Sequence, residues 1–214
     1  MKIDWNIWRA TGQQLRAVLG DAALRGPALG VSWFWVLGSV MLAEIPLIAA
    51  RTLRADTTVA TVLLACFPVG LGLGAMLAGR ARRPLRLLAG AALAVSALLI
   101  DFAIEAPAMQ GRWGDAGAML ADWQGLHLLA DLMLAAIAAG AFVVPLNAAL
   151  QSRARADRRA RTVAANNVLN AIAIVGAGIV AAALPLLGAS PPAIIGLLAL
   201  ANLAAAWGWR AAAD

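Results

Sequence analysis

Polar chemistry is scarce in this sequence. Charged residues fill only 13% of its 214 positions, and it holds one cysteine and one histidine. Each scarcity excludes something. A lone Cys66 can form neither an intrachain disulfide nor a cysteine-based metal site. A lone His127, with no His-Glu-x-x-His run, removes the usual zinc hydrolase pattern. It also leaves an intramembrane serine protease without a matching nucleophile, because Gly38-Ser39-Val40 carries no nucleophile motif. The residues therefore predict no enzyme, no cofactor and no metal site. Nor does the N-terminus hold the continuous apolar run of a cleavable signal, since Arg9, Arg16 and Asp21 interrupt it.

The missing polar residues are replaced by apolar ones. Hydrophobic residues make up 63%, against roughly 45–50% in a soluble domain, where charged residues reach about 25%. The mean hydropathy is +0.81. Too few polar side chains remain to cover a water-facing surface. A soluble enzyme, a disordered tail and a collagen-like fibre are excluded.

A bilayer core of about 30 Å takes about 20 apolar residues per helix. Six stretches qualify, at 27–50, 57–79, 85–105, 125–149, 163–187 and 192–211. The pattern predicts an all-α polytopic membrane protein. Residues 1–26 form a cytoplasmic amphipathic segment along the membrane surface, 27–211 a six-helix transmembrane bundle, and 212–214 a cytoplasmic tail.

Of the 17 Lys and Arg residues, 16 are Arg, against 11 Asp and Glu. If the six spans alternate in direction, fourteen of the seventeen fall at one membrane face. Only Arg51, Arg54 and Arg112 fall at the other. That asymmetry predicts both termini in the cytoplasm. It also removes nucleic acid as a partner, because the arginines form no continuous basic stripe. Trp33, Trp35, Trp113, Trp123, Trp207 and Trp209 fall near predicted interfaces, as an aromatic belt would.

Ionisable residues within predicted spans are Glu44, Asp101, Glu105, His127 and Asp131, all in the outer third. His127 and Asp131 are four apart and share a helix face. These residues either bind a cation, a proton or a cationic head group from outside, or they reach interfacial water and pair with Arg51 and Arg54. A second polar group lies at the inner ends of the fourth and fifth spans: Asn147, Gln151, Asn166, Asn167 and Asn170. Its amides either join helices by hydrogen bonds or line a cavity. Gly70-x-x-x-Gly74 in the second span predicts close helix approach. Pro46, Pro68 and Pro145 interrupt the first, second and fourth spans.

Three patches resemble the major facilitator superfamily. Gly74-Ala-Met-Leu-Ala-Gly-Arg-Ala-Arg-Arg83 resembles that superfamily's Gly-x-Leu-Ala-Asp-Arg-x-Gly-Arg-Arg loop. Gly74, Leu77, Ala78, Arg80 and Arg83 match, while Gly79 replaces the acid and Arg82 the second glycine. Gly30-Val-Ser-Trp-Phe-Trp-Val-Leu-Gly38 is similar to the bacterial lysophospholipid transporter family. So are Val144-Pro-Leu-Asn-Ala-Ala-Leu-Gln151 and Val163-Ala-Ala-Asn-Asn-Val-Leu-Asn170. The resemblance implies the C-terminal half of a twelve-helix carrier, a 3+3 inverted repeat in the bacterial inner membrane that moves lysophospholipid inward. It implies a partner as well, either an N-terminal six-helix half or a second copy. On this reading Glu44, Asp131, His127, Asn166 and Asn170 bind substrate or ion, the first three near the outer mouth, while Asn166, Asn170 and Gln151 belong to the inner gate or the interface between halves. Gly74, Arg80, Arg83 and Gln151 belong to gating loops. The alternative is a non-transporting membrane assembly protein or an inactive fragment.

Overall fold

A computed structural model describes residues 7–81 and 84–211. Every regular element among them is helical. The helices are α1 (Ile7–Gly20), α2 (Ala22–Leu47), α3 (Thr57–Arg80), α4 (Leu87–Glu105), α5 (Ala116–Leu120), α6 (Trp123–Arg153), α7 (Arg159–Ala183) and α8 (Pro191–Ala211). Five segments are long and apolar enough to cross a membrane: Ala22–Leu53, Thr57–Arg80, Leu87–Met109, Trp123–Arg153 and Arg159–Leu187. The sixth predicted span corresponds to α8, which is an apolar helix over the described side chains Pro191–Ala206. The chain is thus a helical protein suited to a membrane interior.

Scarce acids start the helices. Asp21 begins α2 by accepting the Ala23 amide at 2.9 Å. Asp56 begins α3 by accepting the Thr58 and Val59 amides at 2.8 and 3.4 Å. Asp115 begins α5 by accepting the Ala118 amide at 2.8 Å. Each satisfies amides that have no partner inside the helix and places negative charge at the positive end of the helix dipole. Asp21 also moves a predicted boundary. The first long helix starts at Ala22, before Pro27, and Arg25 belongs to it.

The prolines do not break the spans. Pro27, Pro46, Pro68 and Pro145 all lie inside continuous helices. Two residues after Pro46 the helix widens into a π turn, Ile48–Leu53, which ends at Arg54 with φ +55°. A proline that removes a backbone donor is a recognised cause of such a local change.

The central pair is α2 and α6, which touch each other. α3 lies along α6 in the most extensive contact of the bundle, and α4 lies between α6 and α8. α7 and α8 each contact α2. Glycine sets the α3–α6 approach. A Cβ on Gly70 would stand 2.5 Å from Ala136 Cβ, and one on Gly140 2.6 Å from the Leu71 carbonyl oxygen. The predicted close approach at Gly70-x-x-x-Gly74 is present. Leu37, Met41, Leu63, Leu99, Phe102 and Leu132 fill the main core. Outward faces stay apolar, with Leu73, Met76 and Leu77 on α3 and Ile172, Val175 and Ile179 on α7 exposed. Such faces cost little where the solvent is lipid.

The two ends differ. At the basic end, Val18, Leu24, Ala28, Leu150, Ala154 and Ala165 join α1, α2, α6 and α7. Arg153 Nη1 reaches the Ala23 carbonyl at 3.3 Å. At the opposite, capped end, residues 106–122 fold over the bundle. The Gly111 amide donates to the Leu53 carbonyl at 2.8 Å, and the Asp56 amide to the Gly114 carbonyl at 3.0 Å. Arg51, Arg54 and Arg112 belong to this end.

Candidate functional site

Three polar groups and one apolar groove interrupt the otherwise uniform packing. The first group lies at the capped end between α4 and α6. His127 stands one turn inside α6, and Asp131 shares its face, as the spacing predicts. Asp101 joins them from α4: His127 Nε2 lies 3.1 Å from Asp101 Oδ2 and 3.7 Å from Asp131 Oδ2. The Asp101 and His127 side chains are 48% and 42% exposed, whereas that of Asp131 is 5% exposed. Asp131 Oδ2 has no hydrogen-bond partner. The charge of Glu105, one turn beyond Asp101, also acts on Asp131. Only tertiary packing brings α4 to this face, so the local spacing of His127 and Asp131 gave no sign of the third member.

Glu44 stands apart from that group. It is buried on α2, its Oε2 lacks a hydrogen-bond partner, and Arg51 is the cation whose field reaches it.

The second group joins α7 to α2. Asn170 is satisfied at both ends of its amide when the nitrogen donates to the Asn166 carbonyl (3.1 Å) and to Ser32 Oγ (2.7 Å). Its oxygen then accepts from Trp35 Nε1 at 3.2 Å. Asn166 is buried, and its Oδ1 has no partner. Of the two roles open to these amides, Asn170 takes the joining one. Trp35 therefore contributes an internal hydrogen bond rather than only an interfacial ring.

The third group was not singled out from the sequence. Asn202 of α8 is 1% exposed and holds three helices together. Trp33 Nε1 donates to Asn202 Oδ1 at 2.8 Å. Asn202 Nδ2 donates to the Ala92 carbonyl at 2.8 Å and to Ser96 Oγ at 2.9 Å. A lone Asn within an apolar helix was the available signal, since a buried amide needs partners. Trp33, expected at the interface, is instead tied into the bundle because its N–H finds that amide.

The remaining expected residues scatter. Gly74 lies inside α3 against α6, not in a loop. Arg80 is the exposed last residue of α3. Arg83 falls outside the described residues. Gln151, in the last turns of α6, borders a surface hollow with Asn147, Ser152 and Arg159. Asn147 spends its amide on the Val143 carbonyl at 3.2 Å.

The groove lies between α7 and α8 and has a volume of about 500 Å³. Its walls are apolar: Val36 and Val40 of α2, Gly176 and Val180 of α7, and Ile194 and Leu198 of α8 are among them. Trp33, held by Asn202, forms part of its wall. The volume falls within the roughly 300–1,000 Å³ of small-molecule sites.

The loop that caps this end is itself a built structure. Trp113 is 2% exposed and its indole donates to Asp122 Oδ2 at 2.7 Å. Arg112 pairs with the same carboxylate and also donates to Gln124 Oε1 at 2.8 Å. The Arg112 guanidinium, then the Trp113 indole, hold the Asp122 carboxyl below its usual range. A depressed carboxyl pKa contributes stability that is complete above the unfolded value of about 3.9 and is lost as pH falls through the folded value. Amide protection factors across residues 106–122, taken against the intrinsic rate at each pH, should therefore stay high at neutral pH and fall below about pH 4. Asp122→Asn should make exchange fast at neutral pH and flatten that dependence. An unchanged exchange profile in the variant would refute the role of Asp122.

Compared with protein-family models, with curated proteins and with solved structures, the chain matches none.

Proposed function

We propose that this chain is a six-span half of a secondary membrane transporter that moves a lipid-like substrate by alternating access. The observation that carries this reading is the apolar groove between α7 and α8. It lies in the capped half of the bundle, is walled by alkyl side chains, and suits an acyl chain. The lysophospholipid resemblance of the sequence narrows the substrate class to a single-chain phospholipid.

The helix pairing supports the bundle type. Exchanging α2, α3 and α4 for α6, α7 and α8 turns the α3–α6 contact into α7–α2, and the α4–α6 contact into α8–α2. The α2–α6 and α4–α8 contacts map onto themselves. The α2–α3 contact likewise becomes α6–α7, so these eight pairings all survive the exchange, as an inverted three-plus-three repeat requires. The segregation of arginines, with Arg51, Arg54 and Arg112 at the capped end, supports a cytoplasmic basic end in a bacterial inner membrane. A rocking carrier needs two such bundles, so the reading includes a partner half or a second copy.

Two glycines make the test. A Cβ at Gly176 or at Gly178 meets nothing within 4 Å, but only Gly176 lines the groove. In nanodiscs, Gly176→Phe should weaken binding of fluorescent lysophosphatidylethanolamine by about tenfold, a change of about 1.4 kcal/mol. Gly178→Phe should leave it unchanged. Absence of saturable binding by the native chain, or equal loss in both variants, would overturn the proposal in favour of a non-transporting membrane assembly protein.

A further inference from the structure

We propose that Asp101, His127 and Asp131 form a site for one divalent transition-metal ion, with Zn²⁺ as the type, bridging α4 and α6 at the capped end. The residue pattern predicts no metal site, because the one histidine has no ligand-spaced partner beyond Asp131. Folding supplies the third donor from a helix 26 residues away.

The geometry favours a metal over a simple ion pair. One ligand atom from each residue lies within 4.8 Å of the others, two of the separations being 3.1 and 3.7 Å. Tetrahedral ligands at about 2.0–2.2 Å from zinc stand roughly 3.4 Å apart. A protonated Nε2 can satisfy Asp101 Oδ2 at 3.1 Å, but Asp131 Oδ2 at 3.7 Å then remains unpartnered in a side chain that is 95% buried by its 5% exposure. A cation between the three atoms serves all of them at once. The imidazole nitrogen selects against calcium and magnesium, which take oxygen cages. Charge agrees: Glu105 adds a further negative field at Asp131, and among the described residues no arginine pairs with the three ligands. Access agrees too, because Asp101 and His127 are partly exposed and a fourth position is left for water.

The site shares no residue with the groove that carries the transporter reading, so its failure and the failure of that reading are distinguishable. The whole chain, purified in detergent and stripped of metal, is titrated with Co²⁺ followed by its visible d–d absorption, then with Zn²⁺ as competitor. One Co²⁺ per chain, displaced by one Zn²⁺, is expected. His127→Ala and Asp131→Asn should each weaken binding by more than the roughly tenfold cost of losing an outer-shell partner. Asp157→Asn, exposed at the basic end, should not change it. Helical circular dichroism verifies folding, and if the buried Asp131→Asn chain does not fold, the partly exposed Asp101→Asn supplies the same test. No stoichiometric Co²⁺ binding, or native affinity in the His127→Ala and Asp101→Asn chains, would overturn the proposal.

Discussion

Gly74→Ala is expected to destabilise the bundle by about 3 kcal/mol, at the upper end of typical overpacking costs. Gly72→Ala, two residues away, should be neutral or stabilising by up to about 1 kcal/mol. The added methyl is the same in both variants; its surroundings differ. At Gly74 the Cβ would stand 2.0 Å from the Ile137 carbonyl oxygen and 2.9 Å from the Ala141 amide nitrogen. These are backbone atoms of α6 and have no rotamer to yield. Gly140 answers from the other side, with its own Cβ position 3.1 Å from Gly74 Cα. Relief requires the two helices to separate, which opens the largest contact in the fold. At Gly72 nothing lies within 4 Å, and alanine is the better helix former. Reversible unfolding in mixed detergent micelles, followed by circular dichroism, measures both. Equal stabilities for the two variants would contradict the close approach.

The second large effect is expected at Asn202. Asn202→Leu removes three hydrogen bonds and leaves the Trp33 indole N–H unpartnered beside an apolar groove. Interhelical hydrogen bonds in membrane proteins average about 0.6 kcal/mol and reach about 1.7. An orphaned buried donor adds about 1 kcal/mol or more. Three such bonds and one orphaned donor amount to about 3 kcal/mol of lost stability. A double-mutant cycle isolates the pair. Trp33→Phe removes the same donor, so combining it with Asn202→Leu should cost less than the sum of the single changes. Strict additivity would mean that the 2.8 Å contact carries no coupling. The same variants report on the groove, because Trp33 is one of its lining residues.

Much of the membrane character was legible. Helix starts at Thr57 and Trp123 lie within two residues of the predicted limits, and the small-residue seam at Gly70 and Gly74 is present. The first long helix was read short, from residue 27, whereas it begins at Ala22. Asp21 caps that true start, and the Ala23 carbonyl, which the missing N–H of Pro27 leaves free, accepts from Arg153 Nη1 at 3.3 Å. The prolines at 46, 68 and 145 were read as lying within spans, and each lies inside a continuous helix. Residues 106–122 read as a plain loop, yet Asp115 starts a helix there and Trp113 is buried. Neither shows in local hydropathy, because both depend on what the segment folds against.

The candidate site divides along the same line. His127 and Asp131 share a face by helix geometry alone, so their pairing follows from four residues of spacing. The arginine distribution and the apolar runs likewise follow from chain order, because membrane insertion sorts whole segments by hydropathy and loops by charge. Asp101 beside His127, Asn202 beside Trp33, and the groove between α7 and α8 needed the tertiary structure. Those are contacts between segments 26 to 169 residues apart. In a lipid-like interior many apolar faces are equivalent. Helix pairing is therefore decided by a few glycine seams and buried amides, whose partners the linear order does not specify.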